Sequence, residues 1–325
     1  MEVAAHDHAA RVVAEVAYEV ACLALMDSLA CAFTALQDPA CTQLLGSLVP
    51  GATMAFGARV PGTSYQLDPV HAAFNFGTMV SWRQANDPAL ATTSGHLADN
   101  LGAILAVADY RARKAIAEGG SPPLVRDLFA TLIQAHELAS LEWARSCQGN
   151  EDESATGGTP TSASAASRVA LTRIASAACS VTLLGGTRDQ VAAAIAIARS
   201  EMPATEHPGT VFNLDGHEHW RIGDATSRGV RLALIALAGQ KVPLTPAPHG
   251  NEATMQLAVL AELEHTWRAV AATPTVADRV RDRFAASVAK HFPTAQAGKL
   301  AAIFPDRIKL EALPVNELVS MTVRN

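Results

Sequence analysis

At 325 residues, with 49% hydrophobic and 17% charged side chains, the chain has enough apolar material for one large domain or two ordinary ones and is too apolar to be disordered as a whole. Lys and Arg number 25 against 31 Asp and Glu, and this net −6 has the wrong sign for a general attraction to nucleic acid or an anionic membrane surface, so neither partner is expected. Five cysteines, Cys22, Cys31, Cys41, Cys147 and Cys179, form no CxxC pair and fit neither a disulfide framework nor a metal-cluster spacing, so they are expected as reduced and mostly buried thiols.

Met1 to Ala10 carries Glu2, Asp7 and two histidines, His6 and His8, where a secretory signal would place basic residues before an apolar run. An intracellular protein is expected, cytoplasmic or, in a eukaryote, mitochondrial. The most hydrophobic stretch, Val12 to Leu36, includes Glu15, Glu19 and Asp27, each costly in hydrocarbon, and predicts a buried helix near 11–36 rather than a membrane span. With aromatic content at 5% and recurrent Ala/Leu tracts, the composition favours helix, since unbranched side chains keep more rotamer freedom there. Further helices are expected near 70–82, 98–118, 123–145 and 164–184, then near 254–271, 275–290 and 294–303. Pro/Gly turns at 49–51, 61–62, 119–123 and 243–248 separate them. No segment alternates with period two, so the predicted class is all-α with minor strand content.

The stretch from Trp82 to Asn100 concentrates polar groups between apolar flanks. Asp87-Pro88 should end the preceding helix, and Asp99 or Asn100 should open the next, which places His96 near a helix N-terminus. Unpaired N–H groups there suit a carboxylate, and an imidazole titrates near neutral pH. A hydrogen-bonded loop histidine and a turn-forming Asp87 account for the same residues, and composition alone favours that reading.

Gly149 to Ser164 is a polar Gly/Ser/Thr run expected as a mobile loop within the helical part. Thr187 followed by Gln190 is a capping box, with Val191, Ile195 and Ala198 on one stripe behind it. A helix between Asp224 and Ala238 should end at Gly239, with Asp224 its N-cap or first-turn acid. His217-Glu218-His219 has no third ligand nearby, so no metal is expected, and His136-Glu137 reads as structural or exposed. There is no Gly-rich nucleotide motif, P-loop, GxSxG or HExxH. Pro243, Pro246 and Pro248 forbid a continuous helix and mark residues 242–253 as a join between a helical block, 1–241, and C-terminal helices, 254–325, packing back on it.

Several runs in this order, Asp27-Ser28-Leu29-Ala30-Cys31, Val60-Pro61-Gly62-Thr63, Gln66 to Asn75, Gly95 to Gly102 and Gly223 to Arg228, resemble the MmgE/PrpD family, and the tail from His291 to Glu317 is similar to the family's carboxy-terminal end. The resemblance implies a large helical domain and a cofactor-independent hydro-lyase that removes water from a tricarboxylate such as 2-methylcitrate or another alkylcitrate. It also implies a homodimer, and a smaller α+β domain that is essentially absent between Pro246 and Thr254. Such a reaction needs a base for the proton α to a carboxylate, an acid for the departing hydroxyl, and N–H or cationic groups for the carboxylates. On this resemblance His96 and Asp87 are the catalytic candidates and Asn86, Asn100 and Arg228 the substrate-binding ones. Gln84 stands where the family carries an acid, Pro88 where it carries a threonine and Glu218 where it carries a lysine. The Gly149 to Ser164 run replaces a second family histidine. These departures leave open a weakened lyase, an inactive homologue that binds a partner, or a defective gene product.

Overall fold

The structure, a computed structural model, describes residues 2–83, 85–148, 165–201, 220–242 and 252–324. The expectations for Gln84, the 149–164 run, His217 to His219 and the prolines at 243, 246 and 248 lie outside the described residues.

Helix α1 (Glu2–Ala35) is built from the apolar run noted above. Its stretch Glu15–Ala35 is long and apolar enough to cross a membrane, yet 83% of the most apolar window is buried inside the protein. The covering elements are α3 (Pro69–Ser81), α5 (Val125–Gln148), α9 (Glu252–Ala271) and α10 (Pro274–His291). Three short helices, α2 (Pro39–Thr42) and later α12 (Arg307–Ala312) and α13 (Val315–Thr322), were not foreseen, because one or two turns leave too little periodicity to read.

Helix α3 starts where Asp68 accepts hydrogen bonds from the Val70 and His71 N–H groups at 3.0 and 3.1 Å, with Pro69 in the first turn, a position that needs no N–H. It packs on α4 (Leu101–Ala117) and α8 (Arg221–Leu237) through three glycines. A Cβ on Gly102 of α4 would lie 2.8 Å from Gly77 Cα, one on Gly77 2.9 Å from Gly223 Cα, and one on Gly223 2.6 Å from the Phe74 carbonyl oxygen. Backbones therefore touch directly at this crossing. Helix α8 also packs against α6 (Ala165–Leu183) and α7 (Arg188–Ser200), where Ile174, Val181, Ile197 and Leu232 form a second apolar cluster. Thr187 and Gln190 cap α7 reciprocally as the sequence requires, and Gly239, at φ +89°, follows the end of α8. Asp224 lies in the first turn of α8, whose N-cap is Trp220.

Strand content is confined to two antiparallel ribbons among the described residues. Strands β1 (Ala58–Arg59) and β2 (Gln66–Leu67) pair with Ala58 opposite Leu67, and β3 (Ala91–Thr92) and β4 (Gly95–His96) pair with Ala91 opposite His96. The class is all-α, as predicted. Residues after 252 share the main core: Leu263 and Trp267 of α9, Phe284 of α10, Leu300 of α11 (Thr294–Ile303) and Leu318 of α13 (Val315–Thr322) are buried with the α1 side chains. The five cysteines are free thiols, four of them buried.

Candidate functional site

The loop joining α3 to α4 is organised by its own polar side chains. Asp87 caps a 3-10 turn, Pro88–Leu90, by accepting the Ala89 N–H at 3.1 Å, and Pro88 serves as the turn opener. The β3–β4 ribbon then returns the chain to His96, which caps a second 3-10 turn, Leu97–Asn100. The helix expected from about residue 98 thus begins as a tighter turn, and α4 proper starts at Leu101 behind Asn100, whose side chain makes no capping bond. The N–H groups expected to be open for a carboxylate are occupied by the chain itself: His96 Nδ1 accepts from Ala98 N–H, and Asp99 Oδ2 accepts from His96 N–H, both at 3.0 Å. With Nδ1 an acceptor, the ring proton sits on Nε2, which donates to the Asp87 carbonyl at 3.0 Å.

His96 is 6% exposed, and that burial lowers its pKa against the opposing pull of Asp99, the Asp87 carbonyl and Asp27, so the imidazole is neutral at pH 7. Burial alone would push the Asp99 carboxyl up. The Arg168 guanidinium reverses this by closing a fork on it, with Nε donating to Oδ2 at 2.6 Å, and the net pKa is low. Asp87 follows the same logic: its burial raises the pKa, but Arg279 of α10 grips both carboxylate oxygens at 3.1 Å and holds the group below the usual range. Beneath the loop Asp27 of α1 is fully buried and accepts from Asn86 Nδ2 at 3.1 Å and from Asp87 N–H at 3.0 Å. Arg283 of α10 pairs with Asp27, lies 3.9 Å from Asp87 and donates to the Ala85 carbonyl.

The cluster extends inward. Thr92 lies 3.0 Å from His136 Nε2 and 3.0 Å from the Ser94 hydroxyl, which in turn is 2.8 Å from Ser140. His136 is structural in the sense the sequence suggested, and its burial pushes the pKa down to about 4.

Three of the five predicted site residues therefore stand together: Asn86 and Asp87 share Asp27, and His96 reaches the pair through the Asp87 carbonyl. Asn100 follows on the same turn, but its side chain is buried against α6, accepting the Ser176 hydroxyl at 2.9 Å. Arg228 is instead forked onto Glu201, with Nε to Oε2 at 3.0 Å, and Arg173 joins that pair at 3.4 Å. Sequence reasoning missed Arg168, Arg279 and Arg283. The available signal was Asp27, an acid inside an apolar helix that had to find a cation. Among the described residues no group of three or more His, Cys, Asp or Glu is arranged to hold a metal ion.

A chain whose helices meet at backbone contact and whose α3–α4 loop carries this polar knot has a defined place among known proteins. Residues 3–247 match the MmgE/PrpD N-terminal domain, and the chain belongs to the MmgE/PrpD family. Among its relatives, the 2-methylcitrate dehydratase of Salmonella typhimurium is 40% identical over 232 residues, which is 70% of this chain and 45% of that enzyme. The 2-methylcitrate dehydratase of Cupriavidus necator is 42% identical over 224 residues, 69% of this chain and 44% of that one. An alkylcitrate dehydratase from a fungal species is 32% identical over 231 residues, 69% of this chain and 43% of the relative. The chain thus aligns with less than half the length of the relatives it matches, and α9 to α13 lie beyond the residues matched to the N-terminal domain.

Proposed function

We propose that this chain acts as a hydro-lyase of the 2-methylcitrate dehydratase type, dehydrating an alkylcitrate to the corresponding alkyl-aconitate without a cofactor and at a reduced rate. The observation that carries the reading is His96, kept neutral by burial and held beside Asp87 in a chain whose relatives are named as dehydratases of these substrates. In the reaction a C–H bond α to a carboxylate breaks, its electron pair forms the alkene, and the β-hydroxyl departs with a proton as water. One side chain must accept a proton and another must deliver one. His96 and Asp87 are assigned these two roles, and Asn86, Asn100 and Arg228 are assigned to the carboxylates. Substrate entry requires the Asp87 carbonyl to leave His96 Nε2 and the Asp87 carboxylate to leave Arg279. Each opening frees a donor suited to a tricarboxylate. A homodimer in an intracellular compartment completes the reading, as do helices 254–325 packed back on a helical block.

A second reading, a catalytically inactive homologue that binds a partner, is favoured by one observation: both ring nitrogens of His96 and the guanidinium of Arg228 are already satisfied within the chain. The ultraviolet absorbance of the newly conjugated alkene separates the two. Turnover of 2-methylcitrate or a longer alkylcitrate that falls roughly 100-fold or more in His96→Ala, assayed below that variant's own melting temperature and with its helical circular dichroism retained, supports the lyase. No absorbance change from well-folded wild type refutes it and leaves the binding homologue.

A further inference from the structure

A cavity of about 610 Å³ opens at the other end of α10 from the polar knot. Lys290, which lines it, lies seven residues beyond Arg283, roughly 10 Å along the helix axis at 1.5 Å per residue. The turn between β1 and β2 forms one wall, with Thr63, Ser64 and Tyr65, and the C-terminal end of α1 forms another, with Leu36 and Gln37. His291 and Arg324 close the remaining side.

Its chemistry is one-signed. Lys290 Nζ donates to the neutral Gln37 Oε1 at 2.6 Å, and Arg324 donates to the His291 carbonyl at 3.0 Å. Among the described residues neither cation pairs with a carboxylate, whereas most guanidinium groups elsewhere do, and no Asp or Glu lines the cavity. The negative ends of α1 and α10 reach the same space, each worth about half an elementary charge before its carbonyls are satisfied. Two full cations outweigh them. His291 adds no donor, because its Nε2 proton is given to the Gly62 carbonyl at 2.9 Å and its ring is stacked on Phe33. Tyr65, Leu36 and Leu45 supply apolar surface beside the cations. The volume lies within the range of small-molecule sites, roughly 300–1,000 Å³.

We infer that this cavity binds a small organic anion, a carboxylate or phosphate head set between Lys290 and Arg324 with a short apolar body against Tyr65 and Leu45. The site is separate from the His96 loop, and the inference does not rest on the dehydratase reading. Both cations are exposed, so binding weakens as salt rises.

The test is isothermal titration of the whole chain with inorganic phosphate, phenyl phosphate, benzoate and, as a cationic control of similar body, benzylamine. Saturable binding of phenyl phosphate or benzoate is expected, at least tenfold weaker in Lys290→Met and in Arg324→Gln, as befits loss of a charge-assisted hydrogen bond. Binding of phenyl phosphate but not benzoate selects a phosphate head, and binding of both selects a general anion site. Because a variant at Arg324 also loses its bond to the His291 carbonyl, Ser64→Glu provides an independent reading: it adds an anion at an exposed turn residue and should abolish binding while leaving the melting temperature in place. His96→Ala should bind as wild type does. Benzylamine binding as tightly as benzoate, equal affinities in wild type and the three cavity variants, or no saturation below about 10 mM overturns the proposal.

Discussion

Two glycine-to-alanine substitutions in helices of this protein should change stability in opposite directions. At Gly223 the new methyl group would sit 2.1 Å from Thr78 Oγ1, 2.6 Å from the Phe74 carbonyl and 2.6 Å from the Thr78 backbone nitrogen. A threonine hydroxyl can turn away, but a carbonyl and an amide nitrogen of α3 cannot, so relief requires α8 to retreat by nearly 1 Å along the whole crossing. Overpacking of this kind costs about 1–3 kcal/mol or more, and the loosened crossing adds to it, while the helix-propensity gain of alanine returns only about 1 kcal/mol. A net loss of about 2 kcal/mol is expected. At Gly298, inside α11, nothing lies within 4 Å of the added Cβ, so the same substitution should stabilise by about 0.5–1 kcal/mol. Urea midpoints of both variants beside wild type, with unchanged slopes, measure the difference. A neutral Gly223→Ala would show that backbone contact does not set the α3–α8 spacing, and a destabilised Gly298→Ala would refute the open surroundings read for α11.

Stability should fall on acidification between pH 6.5 and about 4, because burial holds the folded His136 pKa at about 4 and the unfolded chain therefore binds the proton first. The decline should be shallower in His136→Gln, as read by melting temperature across that range; an identical pH profile would refute the assignment. Arg283→Met should cost about 3–5 kcal/mol by leaving the fully buried Asp27 without its cation, and adding Asp27→Asn should recover part of that loss in thermal unfolding. Burial pushes the Cys22, Cys31, Cys41 and Cys179 thiols up to about 12, so iodoacetamide at pH 8 should modify Cys147 first, as located by peptide mass mapping.

Local chemistry was legible in the sequence wherever cause and effect lie within one turn of each other. Thr187 and Gln190 are three residues apart, and their reciprocal cap forms as written. The helix ending before Gly239 and the position of His96 at the head of a turn were legible for the same reason. What decides whether His96 can meet a substrate is not local. Ring burial, the Ala98 N–H and the Asp87 carbonyl fix its protonation, and Asp87 itself is governed by arginines 192 and 196 positions further along the chain. No spacing rule connects such residues. The fork of Arg228 on Glu201, 27 positions earlier in the chain, was illegible for a similar reason.

The 192-residue separation between Asp87 and Arg279 has a temporal side. At roughly 5–20 residues per second, translation leaves the loop carboxylate waiting about 10–40 s before its guanidinium partner even exists. Through that interval Asp27 of α1 and Asp87 of the α3–α4 loop have neither Arg279 nor Arg283 to pair with. The ion pairs of Asp27 and Asp87 thus wait for α10, while the turns of the loop itself are capped from within.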